Sequence, residues 1–253
     1  MEQSVDDIVA AAQAVGIARV VTIGIDVPSS QWQVETARKH DDVFATVAIH
    51  PNEARTADDT AWDAIAGLAR DPVVVGVGET GLDHFRTEAD QWSQQEESFR
   101  RHIAIAKDTG KALVIHDRDA HDDVLRVLES EGAPEHVVFH CFSGDEDFAR
   151  RCVDRGYVLS YAGNITFKNA QNLRDAAAVT PLDQLLAETD APFLTPMPYR
   201  GQPNAPYLVP LTVRAIAAVQ QRTEDEVATG ISATAARVFG WAEPPFRAAL
   251  SPP

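Results

Sequence analysis

Short apolar runs alternate with amphipathic stretches along the whole chain. Seven runs read as strands: Arg19 to Ile25, Val43 to Ile49, Val73 to Glu79, Ala112 to His116, His136 to His140, Tyr157 to Tyr161 and Leu185 to Asp190. Brief runs rich in β-branched residues and bounded by polar ones are typical of buried parallel strands. Between them, a helical period predicts helices at Ser4–Val15, from a Ser29-Ser30 N-cap to Lys39, and at Asp59–Ala69, Ala89–Asp108, Asp122–Glu129, Glu146–Asp154 and Asn169–Ala177. Two more follow the last strand, at Leu208–Gln221 and Thr223–Phe239. Strand and helix in alternation predict a mostly parallel α/β sheet. The even spacing predicts one domain over residues 1–253, with the barrel and its closing helices in 1–241 and a frayed, Pro-rich tail in 242–253. A TIM-type (β/α)8 barrel needs eight strands. The chain opens on a helix, so the expected architecture is that barrel with its first strand missing. An open doubly wound sheet is the alternative, weakened by the absence of Gly-x-Gly-x-x-Gly after the first strand.

The residues that close the runs carry more information than the runs themselves. Glu79, His116, His140 and Asp190 each end one. Parallel strands gather their C-terminal ends on one face, where residues distant in sequence converge. Each of the four also has a plainer reading, as a hydrogen-bonded structural histidine or a helix-capping carboxylate. Four at equivalent places point to a metal, because several buried charges without a cation are costly. Mixed imidazole and carboxylate donors suit Zn, Mn or Fe, and suit Mg where carboxylates and water dominate. The lack of a thiolate among them argues against a structural zinc.

Composition narrows the partners. The 253 residues carry a formal net charge of -16, and 45% are hydrophobic. Such a chain does not draw in polyanions through its overall field, so a nucleic-acid substrate would depend on a local patch or on bound cations. Cys141 and Cys152 are the only cysteines, too few for a disulfide framework. No apolar run reaches the roughly 18 residues of a membrane span. Residues 1–16 lack the basic leader of a signal peptide. A reduced, cytoplasmic monomer is the expectation, with no membrane and no disulfide partner.

Seven words surround the candidate ligands: Ile49-His50-Pro51, Gly78-Glu79-Thr80-Gly81-Leu82-Asp83, His116-Asp117-Arg118, His140-Cys141-Phe142-Ser143-Gly144, Gly163-Asn164-Ile165-Thr166-Phe167-Lys168, Glu188-Thr189-Asp190-Ala191-Pro192 and Tyr199-Arg200-Gly201-Gln202-Pro203-Asn204-Ala205-Pro206. In order and spacing they resemble the TatD family of metal-dependent hydrolases, from about Gly16 to Gly240. The resemblance implies a nuclease or phosphodiesterase with up to two divalent ions (Mg, Mn or Zn), acting on nucleic acid, with DNA as the leading substrate. It implies that Glu79 bridges the two metals, that His116 and His140 complete the shell of the second, and that Asp190 serves the first and can take a proton from the attacking water. Glu79 and Asp190 are thus the catalytic candidates. Two alternatives stand beside the nuclease. One is an amide or ester hydrolase of the same fold, such as one removing misloaded amino acids from tRNA, which the acidic charge favours. The other is a degenerate barrel that only binds.

Three residues are candidate substrate or phosphate contacts. His50 ends a strand and is placed in the pocket. Arg118 lies two residues beyond His116, with an ion pair to Asp117, Asp119 or Asp122 as its equal alternative. Arg200 sits in a Pro-rich loop after the last strand, where barrels often bind phosphate. Ser143 and Asn164 read as turn residues, Lys168 as solvated, and Cys141 as a buried inert thiol. Phe85, Tyr161 and Phe167 could stack bases, but core packing is the preferred reading.

The departures from the family pattern are specific. The family opens with a strand ending in Asp-x-His-x-His, whose two histidines bind the first metal, and no His-x-His occurs in these 253 residues. The first histidine is His40, on the predicted second helix. Asn52 stands where a histidine is common, His84 where an aromatic is usual, and Ala233 to Phe239 drops a common asparagine. A misplaced start or a truncation is the expected cause, since a barrel without its first strand exposes two edges. The in-frame codons ahead of Met1 would decide it. On this reading Glu79, His116 and His140 hold one metal well, while the first metal keeps only Glu79 and Asp190. The chain as written should therefore hydrolyse slowly and gain activity when a His-x-His strand is restored ahead of Met1. Equal turnover with and without that strand would refute the reading.

Overall fold

The structure, a computed structural model, describes residues 4–241. The expected tail at 242–253 lies outside the described residues. In chain order the strands are β1 Val20–Ile23, β2 Val43–Val47, β3 Val74–Asp83, β4 Ala112–Arg118, β5 Val137–Phe139, β6 Val158–Tyr161 and β7 Leu185–Ala187. The α-helices are α1 Val5–Ala14, α2 Val27–Ala37, α3 Asp59–Leu68, α4 Trp92–Thr109, α5 His121–Glu131, α6 Glu146–Val153, α7 Gln171–Val179, α8 Val209–Gln220 and α9 Glu224–Phe239. Each of the seven expected strands is present among the described residues, and no further one is. Among these residues, no helix is long and apolar enough to cross a membrane.

The chain divides into two compact units. One spans residues 21–143 and 156–158 and holds β2 to β5 and most of β1. Here β2 pairs with β3, β3 with β4 and β4 with β5, all parallel. The other holds the described residues of 4–20, 144–155 and 159–241, with β7 and most of β6, which also pair in parallel. The central strands of the first unit's sheet are buried on both sides; nine of the ten residues in β3 are buried. Two covered faces explain why these strands read as continuous apolar runs without alternation.

Local chemistry sets the helix ends. Ser4 with Asp7, and Thr223 with Glu226, form reciprocal capping boxes at α1 and α9. Gly110 closes α4 at φ 65°, a left-handed position that suits glycine. The expected cap of α2 needs correction. Asp26 caps it, and Ser29 reaches back to the Asp26 N–H as the third helical residue. Pro28 in the first turn fits a helix that begins earlier. Helix α2 ends at Ala37, so His40 lies beyond it rather than on it. Two strand ends are also corrected: β3 runs four residues past Glu79 to Asp83, and β7 stops at Ala187, three residues before Asp190.

The extension of β3 depends on a β-bulge. Val77 pairs with Leu113 and Thr80 with Ile115, so β3 spends three steps where β4 spends two. The extra residue falls at Gly78-Glu79, and a bulge of this kind re-aims a side chain. Glycine is required on both sides of Glu79. A Cβ on Gly78 would lie 2.4 Å from the Val114 carbonyl oxygen, and one on Gly81 (φ +137°) would lie 2.1 Å from that of His116. The two glycines let β3 press against β4, and this sets Glu79 beside His116. Gly78→Ala should destabilise the fold by about 2 kcal/mol or more, the cost of forcing atoms into a packed interior, as read from urea unfolding. An unchanged midpoint would show that the contact relaxes freely.

Candidate metal centre

Strands β2 to β5 each contribute to one cluster, from within the strand or just beyond its C-terminal end. Glu79 is the second residue of the β3 bulge, His116 lies near the end of β4, and His140 follows β5. His50 follows β2 and opens a 3₁₀ turn, Pro51–Thr56. A single carboxylate oxygen, Glu79 Oε1, meets three imidazoles. It lies 2.6 Å from His116 Nδ1, 2.9 Å from His140 Nε2 and 3.4 Å from His50 Nε2. The structure thus brings together three sequence-predicted ligands, Glu79, His116 and His140, with the predicted pocket residue His50.

Electrostatics follow from this packing. Burial pushes the Glu79 carboxyl up, but the charge of His140 and the hydrogen bonds from His116, His140 and His50 outweigh it, so the pKa falls well below the usual value. Burial pushes His116 down, but hydrogen bonds to Asp83 and Glu79 and the Glu79 charge outweigh it, so its pKa is raised. The two opposite shifts share one cause, the close approach of the His116 imidazole to the Glu79 carboxylate. The donor set fits a divalent ion, because the same oxygen and ring nitrogens suit Zn, Mn or Fe.

The ring atoms sort the histidines by role. Donor atoms of His50, Glu79 and His116 all lie within 4.8 Å of one another, a spacing that could hold a metal. Yet His50 Nδ1 accepts the backbone N–H of Asn52 at 3.1 Å. A neutral His50 then carries its proton on Nε2, the atom that faces Glu79. This ring donates a hydrogen bond and offers no lone pair there, so geometry keeps His50 outside the ligand set. His140 Nε2 and His116 Nδ1 are the ring atoms that face the same Glu79 oxygen.

Asp83 is the functional residue that sequence reasoning missed. It is 1% exposed, and its Oδ2 lies 3.2 Å from His116 Nε2. A carboxylate behind a ligating imidazole fixes the tautomer and turns the other nitrogen to the metal. Burial raises the Asp83 pKa, but the His116 bond and charge, the Arg86 N–H and the Asn52 amide bring it down to about 2. Asn52, noted as a family departure, donates from Nδ2 to Asp83 Oδ2 at 3.4 Å. Asp83 belongs to the Gly78–Asp83 word, and that was the available signal. Its role became visible only when the bulge carried β3 past Glu79.

Helix α4 holds the cluster from behind. Gln95, Ser98, Phe99, His102, Ile103 and Ala106 form its buried face. Gln95 Oε1 accepts the Asp83 N–H at 2.9 Å, and Nε2 donates to the Asp83 carbonyl at 3.2 Å. His102 is fully buried and acts as a positioning residue. Its Nε2 accepts the N–H of Ile49, next to His50, at 3.0 Å. The proton is then on Nδ1, which lies 2.8 Å from both the Ser98 carbonyl oxygen and Thr80 Oγ1, next to Glu79. Burial pushes the His102 pKa down to about 4, against the Ser98 bond, which favours the proton.

The remaining candidates sort as follows. Asp190 and Arg200 belong to the other unit. Asp190 sits at φ 53°, with its carbonyl accepting the Phe193 N–H at 2.8 Å. Asn204 pins this loop by donating to the carbonyls of Thr189 and Phe193. Arg200 lies 4.3 Å above the Phe167 ring. Among the described residues Arg118 stacks on Phe85 and makes no ion pair with Asp117, Asp119 or Asp122. Ser143 donates to the Asp117 carbonyl, as a turn residue does, and Lys168 is exposed. Tyr161 is buried with its hydroxyl on Thr180, as expected of a core aromatic, whereas Phe85 is exposed. Neither cysteine forms a disulfide, and Cys141, at φ 44°, is half-buried rather than buried.

Strand ends that surround a buried carboxylate with imidazoles are the build of a metal-dependent hydrolase, and comparison with known proteins agrees. The model of the family described as TatD related DNase matches residues 1–240. The "uncharacterized metal-dependent hydrolase TatD" of Mycobacterium tuberculosis is 44% identical over 241 residues, covering 94% of this chain and 91% of that one. The "3'-5' ssDNA/RNA exonuclease TatD" of Klebsiella pneumoniae is 32% identical, covering 84% and 82%. The crystal structure of YJJV, a TatD homologue from Escherichia coli, superposes with a TM-score of 0.87 at 26% identity, covering 94% and 93%. The chain belongs to the TatD family of metal-dependent hydrolases, and its fold is the TIM-type α/β fold of that family.

A metal must displace the proton of His116, whose pKa is raised, so affinity should increase as pH rises through the ring's titration. Calorimetry with Mn or Zn in two buffers of different ionisation enthalpy should detect the released proton. Asp83→Asn should weaken binding by about 10–100-fold, the cost of losing a partner behind a ligand. An affinity indifferent to both pH and Asp83 would mean that the ion binds elsewhere.

Proposed function

We propose that this chain is a divalent-metal-dependent exonuclease that hydrolyses phosphodiester bonds in single-stranded DNA or RNA. The observation that carries the reading is the Glu79 carboxylate oxygen set within 2.6–3.4 Å of three imidazole nitrogens. The exonuclease name of the Klebsiella relative supports the substrate class. Glu79, His116 and His140 would hold the ion. A bound divalent ion supplies positive charge for the phosphoryl oxygens and an acidified water. The chain provides the rest. Asp83 keeps the proton of His116 on Nε2 and leaves Nδ1 for the ion. His50 donates from Nε2 to Glu79 or to a substrate oxygen. Arg118 steadies the phosphates.

An oligonucleotide and a p-nitrophenyl ester, each assayed with and without chelator, test the reading. Oligonucleotide cleavage should require metal and fall by about a hundredfold or more in Glu79→Gln, since loss of even a supporting partner can cost that much. Ester turnover without oligonucleotide turnover would instead favour the amide or ester hydrolase. Cleavage that survives Glu79→Gln would remove this site from the chemistry.

A further inference from the structure

The turn after β3 carries an aromatic ring into solvent on a rigid support. Phe85 is 62% exposed. Its N–H and that of Arg86 both donate to Asp83 Oδ1, at 3.0 and 2.8 Å. The Thr87 hydroxyl donates to the Asp83 carbonyl, and Gln95 Nε2 donates to Thr87 Oγ1 at 2.9 Å. The His84 N–H donates to the Arg118 carbonyl at 2.9 Å, and the His84 ring stacks on Trp92 with centroids 3.8 Å apart. Every residue from 83 to 87 is thus tied down, while the Phe85 side chain is left outside. Burying it would gain about 1.5–3 kcal/mol, and the fold forgoes this.

Charge marks the same spot. The Arg118 guanidinium lies 4.6 Å over the Phe85 ring. Arg118 and Arg86 are exposed, and neither forms an ion pair among the described residues. By contrast, Arg38, Arg100, Arg126, Arg150 and Arg214 each hold a carboxylate. In a chain of net charge -16, the turn at Phe85 thus carries two guanidiniums that hold no carboxylate side chain among the described residues. The spot is also tied to the metal centre, because Asp83 holds the Phe85 N–H with one oxygen and His116 Nε2 with the other.

We propose that Phe85, flanked by Arg118 and Arg86, is a stacking platform that holds a nucleobase of a single-stranded nucleic acid beside the Glu79–His116 cluster. Aromatic rings with adjacent guanidiniums bind single strands in this way, since every base has a face to stack and every linkage a charge to neutralise. The proposal rests on the exonuclease reading and adds to it the residues that grip the base. The low overall attraction of an acidic chain for polyanions is then offset by a local contact that also uses stacking.

The test uses the full chain in chelator, where nothing is cleaved, and a short single strand containing one 2-aminopurine. Wild type and Phe85→Trp should bind it and quench its fluorescence. Phe85→Ala should weaken binding about tenfold and lose the quench, since stacking contributes about 1–3 kcal/mol per base. Arg118→Gln should weaken binding and lower the salt slope by about one. A strand of equal length made of abasic residues should bind the wild type as weakly as the normal strand binds Phe85→Ala. Equal affinity and quench in wild type and Phe85→Ala, with metal-dependent cleavage of oligonucleotide intact, would overturn the platform and leave the exonuclease reading standing. No binding or cleavage of oligonucleotide by the wild type, with ester turnover present, would overturn both.

Discussion

A carboxylate taken out of water must be met by positive charge, and the first unit is organised around that requirement at Glu79. Desolvation alone would raise its pKa, yet three imidazoles reverse the shift. Those imidazoles come from the ends of β2, β4 and β5, so the charge requirement is met only when the strands are parallel and in register. Chemistry and fold therefore depend on one geometric event, the bulge at Gly78-Glu79. Without it the alternation of β3 would run on unshifted, and the carboxylate would be aimed elsewhere.

The support behind the cluster uses polar groups in a place where apolar ones would pack more cheaply. Gln95, Ser98 and His102 lie on the buried face of α4 among Phe99, Ile103 and Ala106. Burying polar groups is tolerable only with partners. His102 and Gln95 spend theirs on the backbone of Ile49 and Asp83 and on Thr80, residues that are themselves cluster members or next to one. A hydrophobic face would hold the helix on the sheet, but it would not fix the strand ends to a few tenths of an ångström. A metal site needs that precision, because its supporting contacts govern affinity.

Much of the frame was legible because its signals are local or periodic. The seven strands stood out as apolar runs, and Glu79, His116 and His140 stood out because charged or ionisable residues rarely close such runs by chance. The start of α2 was misread, because Ser29 and Ser30 resemble caps as well as Asp26 does, and only the backbone turn decides which side chain reaches a free N–H. The core reading of Phe85 and the ion-pair alternative for Arg118 both gave way to a contact between the two across adjacent strand ends.

The sequence by itself determined the α/β order and the family and pointed to the candidate ligands, since these follow from residue identity and spacing along one chain. Tertiary structure alone decided that Asp83 stands behind His116, that Asn52 turns His50 into a donor, and that Phe85 faces solvent. These three facts depend on register, on a ring nitrogen's partner and on the direction of a turn. The first depends on which strand lies alongside and how far one has slipped past the other, and the other two on how a turn folds back on itself, which residue identity alone does not set.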